Sequence, residues 1–208
     1  DLTLGTKLTF IALIPIVIFM TAFGVPIARG LFQYNNFSAD DAELLGLTLS
    51  FSAFTLIPYA LVLLHLRVFY AREEAWIPTY IIAGTIFTKV VLTMLSPLVA
   101  GSPERVVILL AASNGFGFIA GAVIGAFLLR RKLGNLGGKE VMSTTYWAVG
   151  ASLVGLVPSA LLMWLMNWLL PDSVPSVVFL LLLAIVGVIF VITTGVVLGR
   201  SSLPEVVN

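Results

Sequence analysis

The chain is organised as six long apolar runs separated by short polar segments. The runs cover about residues 8–31, 45–70, 79–100, 106–129, 144–170 and 177–199. Each reaches the roughly 20 apolar residues that a membrane-spanning helix needs, and none shows the alternating polarity of a transmembrane strand. The pattern predicts an all-α polytopic membrane bundle of six transmembrane helices over residues 1–200. Residues 201–208 are expected to begin a cytoplasmic tail or linker.

Residues that favour turns and helix starts stand between the runs. Ser38 followed three residues later by Asp41 has the spacing of a capping box that opens the second span. Prolines within the runs predict interrupted or kinked helices, as in transporters that change shape. These prolines are Pro15, Pro26, Pro58, Pro97 and Pro158.

Composition excludes several classes of function. With 60% hydrophobic and 10% charged residues, the chain is far more apolar than a soluble domain and cannot be a disordered one. A net charge of +1 gives no sign of nucleic-acid binding. The absence of cysteine and the single histidine exclude thiolate and histidine-built metal sites. We therefore expect no metal and no cofactor.

The distribution of Lys and Arg predicts the orientation. Basic residues concentrate at one side of the predicted bundle, and only Arg29 and Arg105 fall on the other. By the positive-inside rule both ends of the chain should be cytoplasmic. The crowded side holds Lys7, Arg67, Arg72, Arg130, Arg131, Lys132, Lys139 and Arg200.

Two lysines are candidate binding residues. Lys89 lies about ten residues into the third span, where an ammonium costs roughly 2.5–3.5 kcal/mol on insertion scales. It is expected to line a cavity for an anionic substrate, or else to pair with helix carbonyls or with an acid elsewhere in the protein. Lys7 stands at the start of the first span, where simple snorkelling to the interface is the alternative to substrate binding.

Other polar and small residues have two interpretations each. Asn114, next to Ser113 in the fourth span, either binds a ligand or ion or joins two helices by a hydrogen bond. His65 is expected to be an interfacial polar residue, with a proton relay as the alternative. Helix packing is the expected role of a small-residue stripe in the fourth span. That stripe is Gly117, Gly121 and Gly125.

An ordered set of motifs resembles the lipid II flippase family (MurJ, formerly MviN). The most recognisable is Phe69-Tyr70-Ala71-Arg72, followed by Glu73-Glu74 and by Pro78-Thr79, a loop motif between two spans. The others are Gly5-Thr6-Lys7-Leu8 running to Pro15, Leu31-Phe32-Gln33-Tyr34 with Phe37-Ser38 and Asp40-Asp41, and the stretch Leu128 to Gly134. The resemblance covers essentially the whole chain.

The resemblance implies a MOP-type transporter fold with two lobes, of which this chain would be most of the second lobe and the last spans. The implied function is flipping of lipid-linked peptidoglycan precursor (lipid II) across the bacterial cytoplasmic membrane by alternating access. That ligand carries a pyrophosphate, for which a cationic cavity is suited. At Lys7 the family often has an Arg implicated in substrate handling, which implies a substrate-binding role for this lysine.

The implied partners are the anionic lipid-linked substrate, membrane lipids and the N-terminal lobe. A cytoplasmic regulatory domain or a phosphopeptide-binding partner, and coupling to the membrane potential or a monovalent cation, are further expectations. Two alternatives to the flippase stay open. One is another MOP-type exporter, for drugs or lipid-linked glycans. The other is a non-transporting membrane scaffold for cell-wall machinery.

Overall fold

The computed structural model describes residues 2–32, 38–134, 138–169 and 176–200, and this part of the chain is helical without any strand. Six stretches of it are long and apolar enough to cross a membrane, and α2 and α3 together form one of them. The predicted all-α bundle of six membrane-crossing helices is thus confirmed. The expected tail at residues 201–208 lies outside the described residues. The helices are α1 (Leu2–Phe32), α2 (Ala39–Ala53), α3 (Leu56–Ala71), α4 (Trp76–Ala100), α5 (Pro103–Leu133), α6 (Gly138–Leu169) and α7 (Ser176–Gly199).

The helix ends follow from local sequence. The capping box predicted at the start of α2 is confirmed: the Asp41 N–H donates to Ser38 Oγ at 3.1 Å, and the Ser38 N–H donates to Asp41 Oδ2 at 3.3 Å. Gly101 ends α4 with a φ of 66°, a left-handed conformation that favours glycine. Pro103 then opens α5, where its missing N–H costs no helical hydrogen bond.

The second membrane-crossing stretch is broken at Phe54 and Thr55, between α2 and α3. Pro58 explains the break, because it has no N–H to donate to the Phe54 carbonyl four residues earlier and its ring crowds that carbonyl. The chain turns tightly instead, with the Thr55 N–H donating to the Ser52 carbonyl at 3.0 Å. The predicted interruption occurs here alone among the intramembrane prolines. Helices α1, α4 and α6 continue through Pro15, Pro26, Pro97 and Pro158.

The described helices pack as two groups, each with its own core. The first group is α1, α6 and α7, with a core that includes Phe23, Met163 and Val186. The second is α3, α4 and α5, with a core that includes Phe69 and Leu129. Helix α2 lies mainly along α1 and also contacts α5, while α3 lies mainly along α5 and also contacts α1.

Glycines allow the tightest helix crossings. At the α1–α2 crossing, a Cβ on Gly46 would lie 2.4 Å from the Val25 Cα, and one on Gly24 would lie 2.7 Å from the Gly46 carbonyl oxygen. Both contacts are with main chain and could not be relieved by a rotamer change. The backbones therefore approach as closely as small-residue crossings in membranes allow.

Large apolar side chains cover much of the outer surface. Trp76, Phe87, Leu98 and Trp168 are among those that are mostly exposed. Exposed apolar surface on this scale is unusual for a soluble monomer, whereas in a bilayer these side chains would face lipid. The exposed faces thus agree with the membrane assignment made from hydropathy.

Candidate functional site

Lys7 lies near the N-terminal end of α1, about 8 Å along the helix from Leu2. Its ammonium Nζ is 2.8 Å from Glu140 Oε2, in the first turn of α6. The lysine side chain is only 11% exposed, whereas that of Glu140 is 66% exposed. The ammonium is therefore enclosed and paired with a carboxylate of another helix, and substrate binding and snorkelling to the interface both stay predictions for Lys7.

Lys89 lies near the middle of α4, about 20 Å along the helix from Trp76. Its Nζ stands 3.5 Å from the centroid of the Phe118 ring on α5, a cation–π contact. Gly117 makes this position available, since a Cβ there would lie 2.2 Å from the Lys89 Cγ. The lysine stem thus lies in a slot on α5, and the aromatic face stabilises its charge.

The Phe118 ring also packs against Tyr59 of α3, edge to face, with 4.9 Å between ring centroids. The exposed side chain of Asn114 lies one helical turn from Phe118 on α5. Along this face of α5, Gly121 and Leu129 are buried, Phe118 is half-buried and Asn114 is exposed. Asn114 is thus the exposed member of this face, one helical turn before the ring that contacts Lys89.

The polar pair Ser113 and Asn114 is divided between two environments. Ser113 is buried, and its hydroxyl lies 3.4 Å from that of Ser96 on α4. The hydrogen bond between helices that was one interpretation of Asn114 is made by Ser113 instead. The Asn114 side chain is exposed, and its predicted role in binding a ligand stays a prediction.

The predicted packing stripe on α5 lies against α3 and α4. A Cβ on Gly121 would meet Thr85 Oγ1 at 2.1 Å, and one on Gly125 would meet the His65 Nδ1 at 2.5 Å. His65 is buried against α5, and its expected place at the membrane interface stays a prediction. Its Nδ1 is one of the buried side-chain atoms without a hydrogen-bond partner in the described part of the chain.

The loop motif after α3 has a structural place. Phe69 is fully buried in the core of the second helix group, Pro78 is buried at the start of α4, and Tyr70 is exposed. Arg72 Nε donates to Glu74 Oε1 at 3.3 Å within the turn. The motif therefore sets the turn between α3 and α4.

Glu74 connects this turn to the end of α5. Its Oε2 lies 2.5 Å from the Lys132 Nζ. The hydrogen bond from Lys132 is the main cause that lowers the pKa of the Glu74 carboxyl, and Arg72 lowers it further. The connection holds the ends of α3, α4 and α5 together on one surface. Both cations are more than two-fifths exposed, so each ion pair contributes little to stability.

The structure thus separates the predicted binding residues into two sites. Lys7 belongs to the first helix group, while Lys89 and Asn114 belong to the second. Glu140 and Phe118, which contact the two ammonium groups, were not predicted from the sequence. In the described residues, no group of three or more histidines and carboxylates is close enough to hold a metal ion.

A comparison with family models agrees with the motifs. Residues 1–196 match the family model described as Lipid II flippase MurJ. The match covers both helix groups and both lysine sites.

Proposed function

Since the chain belongs to the lipid II flippase family, whose members are transporters rather than enzymes in the usual sense, we propose that it moves lipid-linked peptidoglycan precursor across the bacterial cytoplasmic membrane. Both described ends of the bundle would face the cytoplasm, as the distribution of basic residues predicts. The substrate is amphipathic: its polyprenyl chain can stay in lipid, while its pyrophosphate and sugars must pass the apolar core.

The observation that supports this function best is the pair of lysines at two depths. The Lys7 ammonium lies near the end of α1, and the Lys89 ammonium lies near the middle of α4. A charge-assisted hydrogen bond to phosphate is favourable, and more so where water is scarce. The two cations would therefore hold the pyrophosphate successively as it moves from the cytoplasmic side towards the centre of the bilayer.

The protein's part in this process is binding and conformational change, with no covalent step. Asn114, exposed on α5 one helical turn from Phe118, would add an amide donor. The N-terminal lobe expected from the family would face this bundle across the substrate cavity. Rocking of the two lobes would expose the cavity to each side in turn.

Complementation tests the proposal. The full-length protein is expressed in bacteria depleted of their own lipid II flippase, and growth is scored. We expect the wild type to restore growth and the double variant Lys7→Met/Lys89→Met to lose it, because each lost phosphate contact costs roughly 1.5–3 kcal/mol. Lys132→Met is the matched control, because it removes an exposed cation that pairs with Glu74 at the turn after α3. This variant should restore growth.

The possible results separate function from site. Growth with the double variant at wild-type level would show that the lysines do not bind the substrate. A well-expressed wild type that fails to restore growth would count against lipid II as the substrate and favour another exporter or the scaffold.

A further inference from the structure

The ion pair between Lys7 and Glu140 is asymmetric in its exposure to water. The lysine side chain is 11% exposed and the glutamate side chain 66% exposed, although their charged atoms are 2.8 Å apart. Glu140 thus stands on the open side of the lysine, between the ammonium and the surroundings of the bundle.

This asymmetry means that the two groups depend on each other unequally. An enclosed ammonium needs an anionic neighbour, because removal of its counter-charge leaves a poorly hydrated cation. A largely hydrated carboxylate loses little when it moves away from its partner. Glu140 also lies in the first turn of α6, where the helix dipole favours a carboxylate whether or not it is paired.

A phosphate-bearing headgroup is better suited than Glu140 to the Lys7 ammonium. A pyrophosphate diester carries two negative charges and more acceptor oxygens than a carboxylate, so its charge-assisted hydrogen bonds are stronger. Such a group can reach the lysine from the side that Glu140 now occupies.

We propose that Glu140 is an exchangeable counter-ion, which binds the Lys7 ammonium when no substrate is present and is displaced by the phosphate groups of the lipid headgroup. The identity of the headgroup as that of lipid II rests on the proposed function. Displacement breaks this ion pair between α1 and the start of α6, so the presence of substrate removes one of the links between two helices that otherwise stay packed. Glu140 is therefore a residue that tunes substrate affinity without binding substrate.

Binding measurements on the full-length protein in phosphatidylcholine nanodiscs test the exchange, with lipid II as the probe and native mass spectrometry as the readout. Glu140→Gln removes a competitor worth about 1 kcal/mol and should bind lipid II about fivefold tighter. Glu140→Asp keeps the charge and should bind within about twofold of the wild type. Lys7→Gln should bind at least about tenfold more weakly.

A double-mutant cycle distinguishes competition from a structural role. In the Lys7→Gln background, Glu140→Gln should have no effect, because there is no ammonium to compete for. The matched control is Glu43→Gln, which removes the exposed carboxylate that pairs with Arg29 at 2.9 Å and should leave binding unchanged. Melting temperatures of all variants show whether each is folded.

Affinity of Glu140→Gln equal to or weaker than that of the wild type would overturn the proposal, and so would equal tightening by Glu140→Asp. A second probe, inorganic pyrophosphate, separates this proposal from the function. If no variant binds lipid II but Glu140→Gln still binds pyrophosphate more tightly than the wild type, the exchange stands and the substrate assignment falls.

Discussion

Lys7 and Lys89 are both lysines within apolar helices, yet the bundle stabilises their charges by different means. The first contacts a full negative charge on another helix, Glu140, and the second contacts the uncharged face of Phe118. An ion pair neutralises the lysine, whereas a cation–π contact stabilises the ammonium and leaves its net charge in place. An anion must therefore compete for Lys7, while at Lys89 it adds to an existing contact.

The two environments also differ in how the lysine stem is held. Lys89 runs through the slot left by Gly117, and Lys7 is enclosed at the junction of α1 and α6. The Lys89 site thus depends on close helix packing, and the Lys7 site depends on charge. Variants that change packing or charge separately can test this difference.

The largest effect is expected from Gly117→Ala. Its Cβ would lie 2.2 Å from the Lys89 Cγ, so the stem must leave the slot or α4 must move away from α5. We expect a loss of about 2–3 kcal/mol in the free energy of unfolding, measured by denaturation in detergent micelles. Gly150→Ala is the matched control, since nothing lies within 4 Å of its Cβ. It should stabilise the protein by about 0.5–1 kcal/mol.

Equal stability changes in these two variants would show that the slot does not confine Lys89. Equal changes would also remove the distinction between a site that depends on packing and one that depends on charge.

A smaller effect is expected from Phe118→Leu. The change removes the cation–π contact with Lys89 and the edge-to-face contact with Tyr59, for a combined loss of about 1–2 kcal/mol. Thermal unfolding in nanodiscs measures it. Phe127→Leu is the control, because that exposed ring lies 4.7 Å from the Arg131 guanidinium carbon and should contribute about 0.5 kcal/mol. A larger loss at Phe127 would contradict the importance given to the contact between Lys89 and Phe118.

The smallest effect is expected at Glu74, whose side chain is 23% exposed and whose partner Lys132 is 43% exposed. Lys132 lowers the Glu74 pKa from its ordinary value of 4.5, so the pair contributes stability above that pH. This contribution is lost as the pH falls through the lowered pKa. The melting temperature of Glu74→Gln should be slightly below wild type at neutral pH and equal to it once the pH lies below the lowered pKa of Glu74. A difference that grows on acidification would contradict this sign.

The sequence predicted the membrane helices well and their contacts poorly. Hydropathy was sufficient for the six crossings because each helix satisfies its own main-chain hydrogen bonds in lipid. Lys89 could be placed at mid-depth by counting residues along its span. Its contact with Phe118 could not be predicted, because the rotation of α4 against α5 depends on the whole interface.

Glu140 was missed for a related reason. It is 133 residues from Lys7 along the chain, and nothing in the local pattern indicates that the starts of α1 and α6 meet. The break at Phe54 shows the opposite case, since it follows from Pro58 by a local rule. Four other prolines also lack the N–H, yet their helices continue past them. The surrounding packing therefore decides at which proline a helix is interrupted.

The break between α2 and α3 also affects the mechanics of the bundle. Its two halves, α2 and α3, are short helices joined at Phe54 and Thr55. Helix α2 lies mainly along α1, and α3 lies mainly along α5. Because Phe54 has no donor four residues ahead, bending at this joint sacrifices fewer main-chain hydrogen bonds than bending elsewhere in either helix. If the two helix groups rotate slightly relative to each other, the bending would occur at Phe54 and Thr55, and α2 and α3 would stay straight.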